Sequence, residues 1–269
     1  MQLVRLLATF LALIVLVSSA QALKCSPSAG GFPKWLEEFK TAARQQGISP
    51  RVLANLDGLT YATAVIRADR NQKHFKQSFA QFSGRMISPG RISKGRAMLA
   101  KHAATLARIE KSYGVPKEVI VAIWGLETDY GVNMGKLPVL RSLATLAYDC
   151  RRTERFQNEL MSALMIIQRG DMSAGDLKGA WAGEIGQAQF MASSYLNFAA
   201  DGDGNGRINL IRSQVDVMAS IASYLRGHGW RAGAGYAPGQ PNFRVIAEWN
   251  KATVYQKTVA AFARRLAGG

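Results

Sequence analysis

The stretch VPKEVIVAIWGLETDYG (115–131) is an apolar run that carries one carboxylate near its end, Glu127, and stops at a glycine. Pro116 suits the first turn of a helix, because its ring fixes a helical φ and its missing N–H is not needed there. Ile120, Ile123 and Glu127 are spaced so that they share one helical face. The stretch therefore predicts a helix whose glutamate lies along a buried apolar stripe.

A carboxyl group in such surroundings has a raised pKa, because its charged form is poorly solvated next to apolar and aromatic surface. It stays protonated near neutral pH and can still release the proton, as a general acid must. The structural alternative is that Glu127 caps a backbone group or pairs with a buried arginine, and position alone favours it. Asp129 would face elsewhere on a continuing helix, so we do not pair it with Glu127.

Helical patterns dominate the rest of the chain, and the alternation typical of strands is scarce. Segments 61–67 and 243–248 are the best candidates for short strands or loops. The sequence predicts a mainly α (α+β) domain with helical parts on either side of a cleft. The other predicted helical segments are 32–47, 48–59, 88–114 (one long basic helix), 153–169, 211–227 and 253–267.

The N-terminus MQLVRLLATFLALIVLVSSAQA (1–22) combines a basic residue, an apolar run and an Ala-Gln-Ala cleavage pattern, as in a secretory signal peptide. The apolar run is shorter than the ~20 residues of a spanning helix. We therefore expect cleavage after Ala22, a single mature domain over 23–269 with no transmembrane helix, and a soluble periplasmic protein. Lipidation at Cys25 is the alternative, but Lys24 occupies the place where a small residue is usual.

Export also bears on Cys25 and Cys150, the only two cysteines of the chain. In an oxidising compartment an isolated pair is expected to form one disulfide, which would pin the mature N-terminus to the middle of the domain. Two buried free thiols are the alternative.

The formal net charge of +16 favours a polyanionic partner: nucleic acid, an anionic membrane face or an acidic cell-wall polymer. The sequence has no zinc-finger spacing and no aromatic-basic RNA motif, and the export signal further disfavours nucleic acid. It also lacks HExxH, G-x-S-x-G, P-loop and dinucleotide-binding patterns. Zinc and nucleotide chemistry are thus not indicated.

The stretch GAWAGEIGQAQFMASSY (179–195) mixes glycines with neutral amides and aromatic rings. Amides bond to hydroxyl groups, rings stack on sugar faces, and glycines let the backbone approach a ligand. An ordinary Gly-rich turn before a helix is the alternative. Glu184 within it is either a second carboxylate of the site or a salt-bridge partner. The candidate sugar-binding residues are Trp181, Gln187, Gln189 and Tyr195.

The stretch DGDGNGRINL (201–210) resembles the first half of an EF-hand calcium loop. At position 12 the usual bidentate glutamate is replaced by Arg212, and Asp216 could supply the missing carboxylate. An Asx-rich turn without metal is the alternative, so a structural calcium stays open. The candidate ligands are Asp201, Asp203, Asn205, Arg207 (through its carbonyl) and Asp216.

Taken together, these motifs resemble the lytic murein transglycosylases of the membrane-bound lytic transglycosylase B type. The segments that carry the resemblance are 113–131, 180–210 and EWNKATVY (248–255), and 87–99 is similar to the segment preceding the catalytic helix of that family. The resemblance runs from about residue 30 to the C-terminus. It implies a lysozyme-like fold that cuts peptidoglycan strands between N-acetylmuramic acid and N-acetylglucosamine without water, leaving a 1,6-anhydromuramoyl end.

The resemblance also implies roles for individual residues. Glu127 is the single general acid/base, and the acetamide of the substrate assists, as in substrate-assisted glycosidases. Gln189 lines the cleft, and Asn250 and Tyr255 close the site over the sugar. No cofactor is required for this chemistry, although some family members bind calcium at the loop that corresponds to 201–210.

The sequence departs from the family pattern in a few places. Ala180 stands where some relatives have serine, Arg212 stands where a calcium loop has glutamate, and we expect no separate peptidoglycan-binding module after the last helix. The expected partners are peptidoglycan strands and cell-wall machinery. Two other functions remain open: a lysozyme-type hydrolase that releases reducing ends, and an inactive cell-wall-binding protein.

Overall fold

The computed structural model describes residues 23–71 and 77–268, so the predicted signal peptide over 1–22 lies outside the described residues. Helices dominate these residues, in agreement with the predicted mainly α class, and no helix in the described part of the chain is long and apolar enough to cross a bilayer. The helices are α1 (Phe32–Gln45), α2 (Pro50–Leu53), α3 (Thr63–Arg70), α4 (Phe79–Met86), α5 (Pro89–Lys101), α6 (Ala103–Tyr113), α7 (Lys117–Thr128), α8 (Val139–Tyr148), α9 (Thr153–Arg169), α10 (Ala192–Phe198), α11 (Gln214–Gly227), α12 (Phe243–Trp249) and α13 (Thr253–Leu266).

A small antiparallel pair of strands supplies the β component. Strand β1 (Leu137–Pro138) pairs with β2 (Lys178–Gly179), Leu137 lying opposite Gly179. The predicted strand candidates 61–67 and 243–248 are wrong, because both segments are largely helical, in α3 and α12. Their β-branched residues misled the prediction: Val65, Val245 and Ile246 are buried by packing against neighbouring helices, which outweighs intrinsic β preference.

The predicted long basic helix over 88–114 is also wrong, since two helices, α5 and α6, meet at His102. The His102 ring packs 6.3 Å from that of Trp124, and its Nε2 lies 3.0 Å from Gln214 Oε1. These contacts hold His102 between the core and α11, so a tertiary anchor accompanies the break in the helix.

Helix α7 lies at the centre of the molecule and contacts α5, α6, α11 and α13. Every residue from Val119 to Leu126 is buried. A helix surrounded in this way is apolar on all sides, so the predicted single stripe is replaced by a fully buried rod. Glu127 is the first residue after this run that is only partly buried.

The N-terminal segment is fastened to the turn between α8 and α9. Cys25 and Cys150 form the predicted disulfide, with Cα atoms 5.0 Å apart. Ser26 N–H donates to the carbonyl of Tyr148 at 3.0 Å, and Leu23 exchanges two hydrogen bonds with the side chain of Gln157 at 2.9 and 3.1 Å. The start of the described chain thus becomes part of the α8–α9 layer.

A buried ion-pair cluster fixes the same turn to α3. Asp69 is almost fully buried and pairs with Arg70, Arg151 and Arg152, while Arg70 also reaches Asp149 at 2.7 Å. Burial alone would raise the pKa of Asp69, but the hydrogen bonds from Arg151 and Arg152 bring it below its usual value. The two arginines at the start of α9 are therefore held by a structural ion pair.

Candidate active site

Helix α7 ends abruptly beside Glu127. Asp129 and Tyr130 both adopt left-handed backbone conformations, with φ of 51° and 62°, which stops the helix and turns the chain. Asp129 pairs with Arg91 at 3.4 Å and with Lys94 at 2.7 Å. As expected, the two carboxylates of this segment do not form a pair: Asp129 serves the contact with α5 and leaves Glu127 to the site.

The Glu127 carboxylate receives two hydrogen bonds on the same oxygen. Trp249 Nε1 donates to Oε1 at 2.8 Å, and the Tyr255 hydroxyl donates to it at 2.5 Å. The second oxygen, Oε2, has no hydrogen-bond partner among residues 23–71 and 77–268, and the side chain is partly exposed. One oxygen is thus held by α12 and α13, and the other is available to a ligand.

The surroundings of Glu127 favour its protonated form. Burial raises the pKa of the carboxyl group, the hydrogen bonds from Tyr255 and Trp249 lower it, and the charge of Glu184 raises it again, with a net rise. Glu184 accepts a bond from Ala182 N–H at 3.1 Å and forms no ion pair within the described residues. It is therefore a second carboxylate near the site rather than a salt-bridge partner.

Gln189 occupies a strained position in the loop between β2 and α10. Its φ is 52°, and its side-chain amide donates to the carbonyls of Gly186 at 2.8 Å and Met134 at 3.1 Å. Gln189 and Trp249 both line a cavity of about 260 Å³. The tryptophan that holds Glu127 thus also forms part of a ligand-sized recess.

Two of the predicted sugar-binding residues, Gln187 and Tyr195, are core residues instead. Gln187 is 5% exposed; its amide accepts a bond from Trp124 Nε1 at 3.1 Å and donates one to Ile211 at 2.9 Å. Tyr195 is 1% exposed and donates to the carbonyl of Ile208 at 2.7 Å. Their polar atoms satisfy buried partners, so the prediction that they bind substrate was wrong.

The remaining predicted contacts lie around the same region. Trp181 is half-buried against the core, and Asn250 connects α12 to α13. Asn250 Oδ1 accepts the N–H of Ala252 at 2.9 Å, and its backbone carbonyl accepts the Gln256 amide at 3.0 Å. Asn250 therefore shapes the turn between the two residues that hold Glu127.

Trp249 is the residue that the sequence interpretation missed. It directly precedes Asn250 in the motif EWNKATVY, and its position among tyrosine and asparagine was the available signal. The rings of Phe190 and Tyr224 lie 5.5 and 4.9 Å from it. Packing from two other segments thus orients the indole toward Glu127.

The loop over 201–210 brings three carboxylates together. Candidate ligand oxygens of Asp201, Asp203 and Asp216 lie within 4.8 Å of one another. The Arg212 side chain points to Asp176 at 2.8 Å, so the third carboxylate comes from the first turn of α11. Burial raises the pKa of Asp216, and the nearby charge of Asp203 adds to the rise. A cluster of hard oxygen ligands with unbalanced negative charge suits Ca²⁺.

Comparisons with known proteins agree with this architecture. A family model described as the transglycosylase SLT domain matches residues 31–240. Membrane-bound lytic murein transglycosylase B of Escherichia coli (strain K12) is 38% identical over 173 residues, which cover 61% of this chain and 48% of that protein. The match thus spans about half the length of this curated relative.

Solved structures extend the similarity over most of the fold. SltB3 from Pseudomonas aeruginosa, in complex with NAG-anhNAM-pentapeptide, superposes with a TM-score of 0.83 at 30% identity, covering 88% of this chain and 80% of SltB3. The Escherichia coli lytic transglycosylase Slt35 in complex with calcium gives a TM-score of 0.78 at 28% identity, covering 86% of this chain and 92% of Slt35. These similarities confirm the predicted lysozyme-like fold class. On the extent of the family match, the chain belongs to the transglycosylase SLT domain family.

Proposed function

We propose that the protein is a lytic transglycosylase that cleaves peptidoglycan strands between N-acetylmuramic acid and N-acetylglucosamine, with Glu127 as general acid and base. The observation that carries the proposal is the half-buried Glu127 carboxyl, held on one oxygen by Trp249 and Tyr255 and free on the other. Family membership and the SltB3 complexes with peptidoglycan fragments support the substrate class.

The reaction needs one carboxyl group if the substrate supplies the nucleophiles. Protonated Glu127 gives its proton to the glycosidic oxygen as the C1–O bond breaks, and the substrate acetamide oxygen bonds to C1. The 6-hydroxyl of the same sugar then attacks C1, the acetamide leaves, and the hydroxyl proton passes to Glu127. The anhydro ring closes without water, and the acid is regenerated.

Other residues would position the strand and stabilise Glu127 while it is charged. Tyr255 and Trp249 donate to the carboxylate, and this stabilisation matters once the proton has left. Gln189, Asn250 and Trp181 are proposed to contact the sugars. Export by the N-terminal segment would place the protein in the periplasm, where the glycan strands lie.

The products of digestion test this function. Purified peptidoglycan is incubated with the protein, and the released muropeptides are weighed. A transglycosylase gives muropeptides one water lighter than those made by a lysozyme. Reducing ends would instead establish the lysozyme-type hydrolase, and release of no fragments would favour the cell-wall-binding protein.

Tyr255→Phe should shift the pH profile of cleavage upward. Loss of the hydroxyl removes a bond that favours the charged carboxylate, so the pKa of Glu127 rises further. The acid must start protonated, so activity falls as pH rises through this pKa, and the falling limb of kcat/KM moves to higher pH. Maximal kcat should drop about tenfold, because the carboxylate formed in the reaction loses a charge-assisted bond.

The matched control is Tyr236→Phe, because Tyr236 stacks on Trp230 at 6.2 Å and does not contact Glu127. Its pH profile should overlay that of the wild type. A falling limb that stays in place or moves to lower pH in Tyr255→Phe would refute the assignment of this limb to Glu127.

We further propose that the loop over 201–210 binds a structural calcium ion, held by Asp201, Asp203 and Asp216 with the Asn205 amide oxygen and the Arg207 carbonyl. Ca²⁺ should raise the melting temperature of the wild type, since an ion that binds only the folded state stabilises it. Asp203→Asn should remove most of this rise, and Asp176→Asn, outside the cluster, should keep it. An equal rise with Mg²⁺, or none with Ca²⁺, would count against a calcium site.

A further inference from the structure

Beside Glu127, on the far side of the Trp249 indole, lies the cavity of about 260 Å³. Three aromatic rings line it, from Phe190, Tyr224 and Trp249, and Arg155 of α9 lines it as well. The rings pack against one another at 4.9–5.6 Å between centroids. The recess therefore combines an apolar wall with one cationic side chain.

The acidic groups around this recess are already engaged. Glu159 accepts two bonds from Ser193, at 2.9 and 2.7 Å, and Glu248 pairs with Lys251 at 2.7 Å. Glu184 bonds to the N–H of Ala182. None of these carboxylates forms an ion pair with Arg155.

Arg155 itself is exposed, and within 23–71 and 77–268 its guanidinium has no hydrogen-bond partner. Its one specific contact is the ring of Phe156, 5.8 Å from Cζ. The neighbouring Arg152, by contrast, is held by the buried Asp69. Of these two cations at the start of α9, Arg155 is the one free to bind a ligand.

We propose that Arg155 binds a carboxylate of the peptide carried by the muramoyl sugar, so that the enzyme prefers peptide-bearing over peptide-free strands. The proposal rests on the proposed function, because it assumes a glycan strand seated at Glu127. An extended peptide spans about 3.3 Å per residue, so a peptide of several residues can reach across the recess. The planar guanidinium matches a carboxylate with two parallel hydrogen bonds.

The kinetic test compares two substrates, glycan strands with intact peptides and the same strands after removal of the peptides by an amidase. Arg155→Gln should raise KM about tenfold on the peptide-bearing strands with little change in kcat, since the contact binds ground and transition states alike. On peptide-free strands the variant should match the wild type. Arg155→Lys should recover part of the loss, because it keeps the charge but not the fork.

Arg244→Gln is the matched control, since Arg244 is exposed and lines a different cavity, together with Pro241 and Phe243. It should behave like the wild type on both substrates. An equal loss by Arg155→Gln on both substrates, or no loss on either, would overturn the proposal.

A binding measurement separates this proposal from the proposed function, because it needs no turnover. Calorimetry compares a disaccharide–pentapeptide with the bare disaccharide. The wild type should bind the peptide-bearing ligand more tightly, and Arg155→Gln should lose about tenfold of that preference. The same preference in both proteins, or no preference in the wild type, overturns the role of Arg155. Release of reducing ends from peptidoglycan would overturn only the transglycosylase reaction.

Discussion

Glu127→Gln is expected to reduce peptidoglycan cleavage by about 10³-fold or more, because positioned general acids contribute about 10²–10⁴-fold and this group acts in both halves of the reaction. Glutamine has the same shape and can still accept the bonds from Trp249 and Tyr255. The variant should therefore fold normally. The measurement is the rate of release of anhydro muropeptides.

The same substitution should make the protein more stable at neutral pH. In the folded state the pKa of Glu127 is raised above its ordinary value, mainly by burial. Ionisation therefore costs more in the folded than in the unfolded protein, and stability is lost as pH rises from the unfolded toward the folded pKa. Glutamine does not ionise, so its advantage in melting temperature should grow above about pH 4 and vanish below it.

The matched control is Glu118→Gln, at the opposite end of α7. This carboxylate lies near Lys117 and does not contact Glu127. The control should keep wild-type cleavage and lack the pH-dependent gain in melting temperature. If Glu127→Gln retained substantial cleavage, another group would have to be the acid.

Removal of the Cys25–Cys150 disulfide is expected to reduce the free energy of unfolding by about 2–4 kcal/mol. The bond closes a loop with a sequence separation of 125 residues, and long loops gain most from a cross-link, since the unfolded chain loses more freedom. For a protein of this size each kcal/mol corresponds to roughly 2–4 °C, so the melting temperature should fall by about 10 °C.

The double variant Cys25→Ser/Cys150→Ser tests this against the wild type with and without reductant. The reduced wild type and the double variant should melt together, below the oxidised protein. Cleavage at 25 °C should persist in both, because the α8–α9 turn is also held by the Asp69 ion pairs and the Gln157 hydrogen bonds. A melting temperature insensitive to reductant would show that the bond contributes little to stability.

Local signals were enough to predict several elements. Helix α9 has the predicted bounds, 153–169, because its periodic apolar residues end at Gly170, which adopts the left-handed conformation of a helix C-terminus. The disulfide followed from two cysteines and an export signal. The prominence of Glu127 followed from one carboxylate at the end of an apolar run.

Contacts between distant segments decided the rest. His102 divides the predicted long helix while in contact with Trp124 and Gln214. Gln187 and Tyr195 looked like sugar ligands, yet their polar atoms satisfy buried groups far along the chain. Periodicity describes neighbours along the chain and carries no information about which buried donor or acceptor needs a partner.

The sequence by itself determined the helical class, the family resemblance and the candidate acid, because these depend on local patterns of residue type. Only the tertiary structure decided how that acid is held: Trp249 and Tyr255, 122 and 128 residues away, meet on one oxygen of Glu127. It also brought Asp216 to the calcium loop and left Arg155 free beside the site. The pKa of a carboxyl group depends on burial and on neighbours in space, and those exist only once the helices have packed.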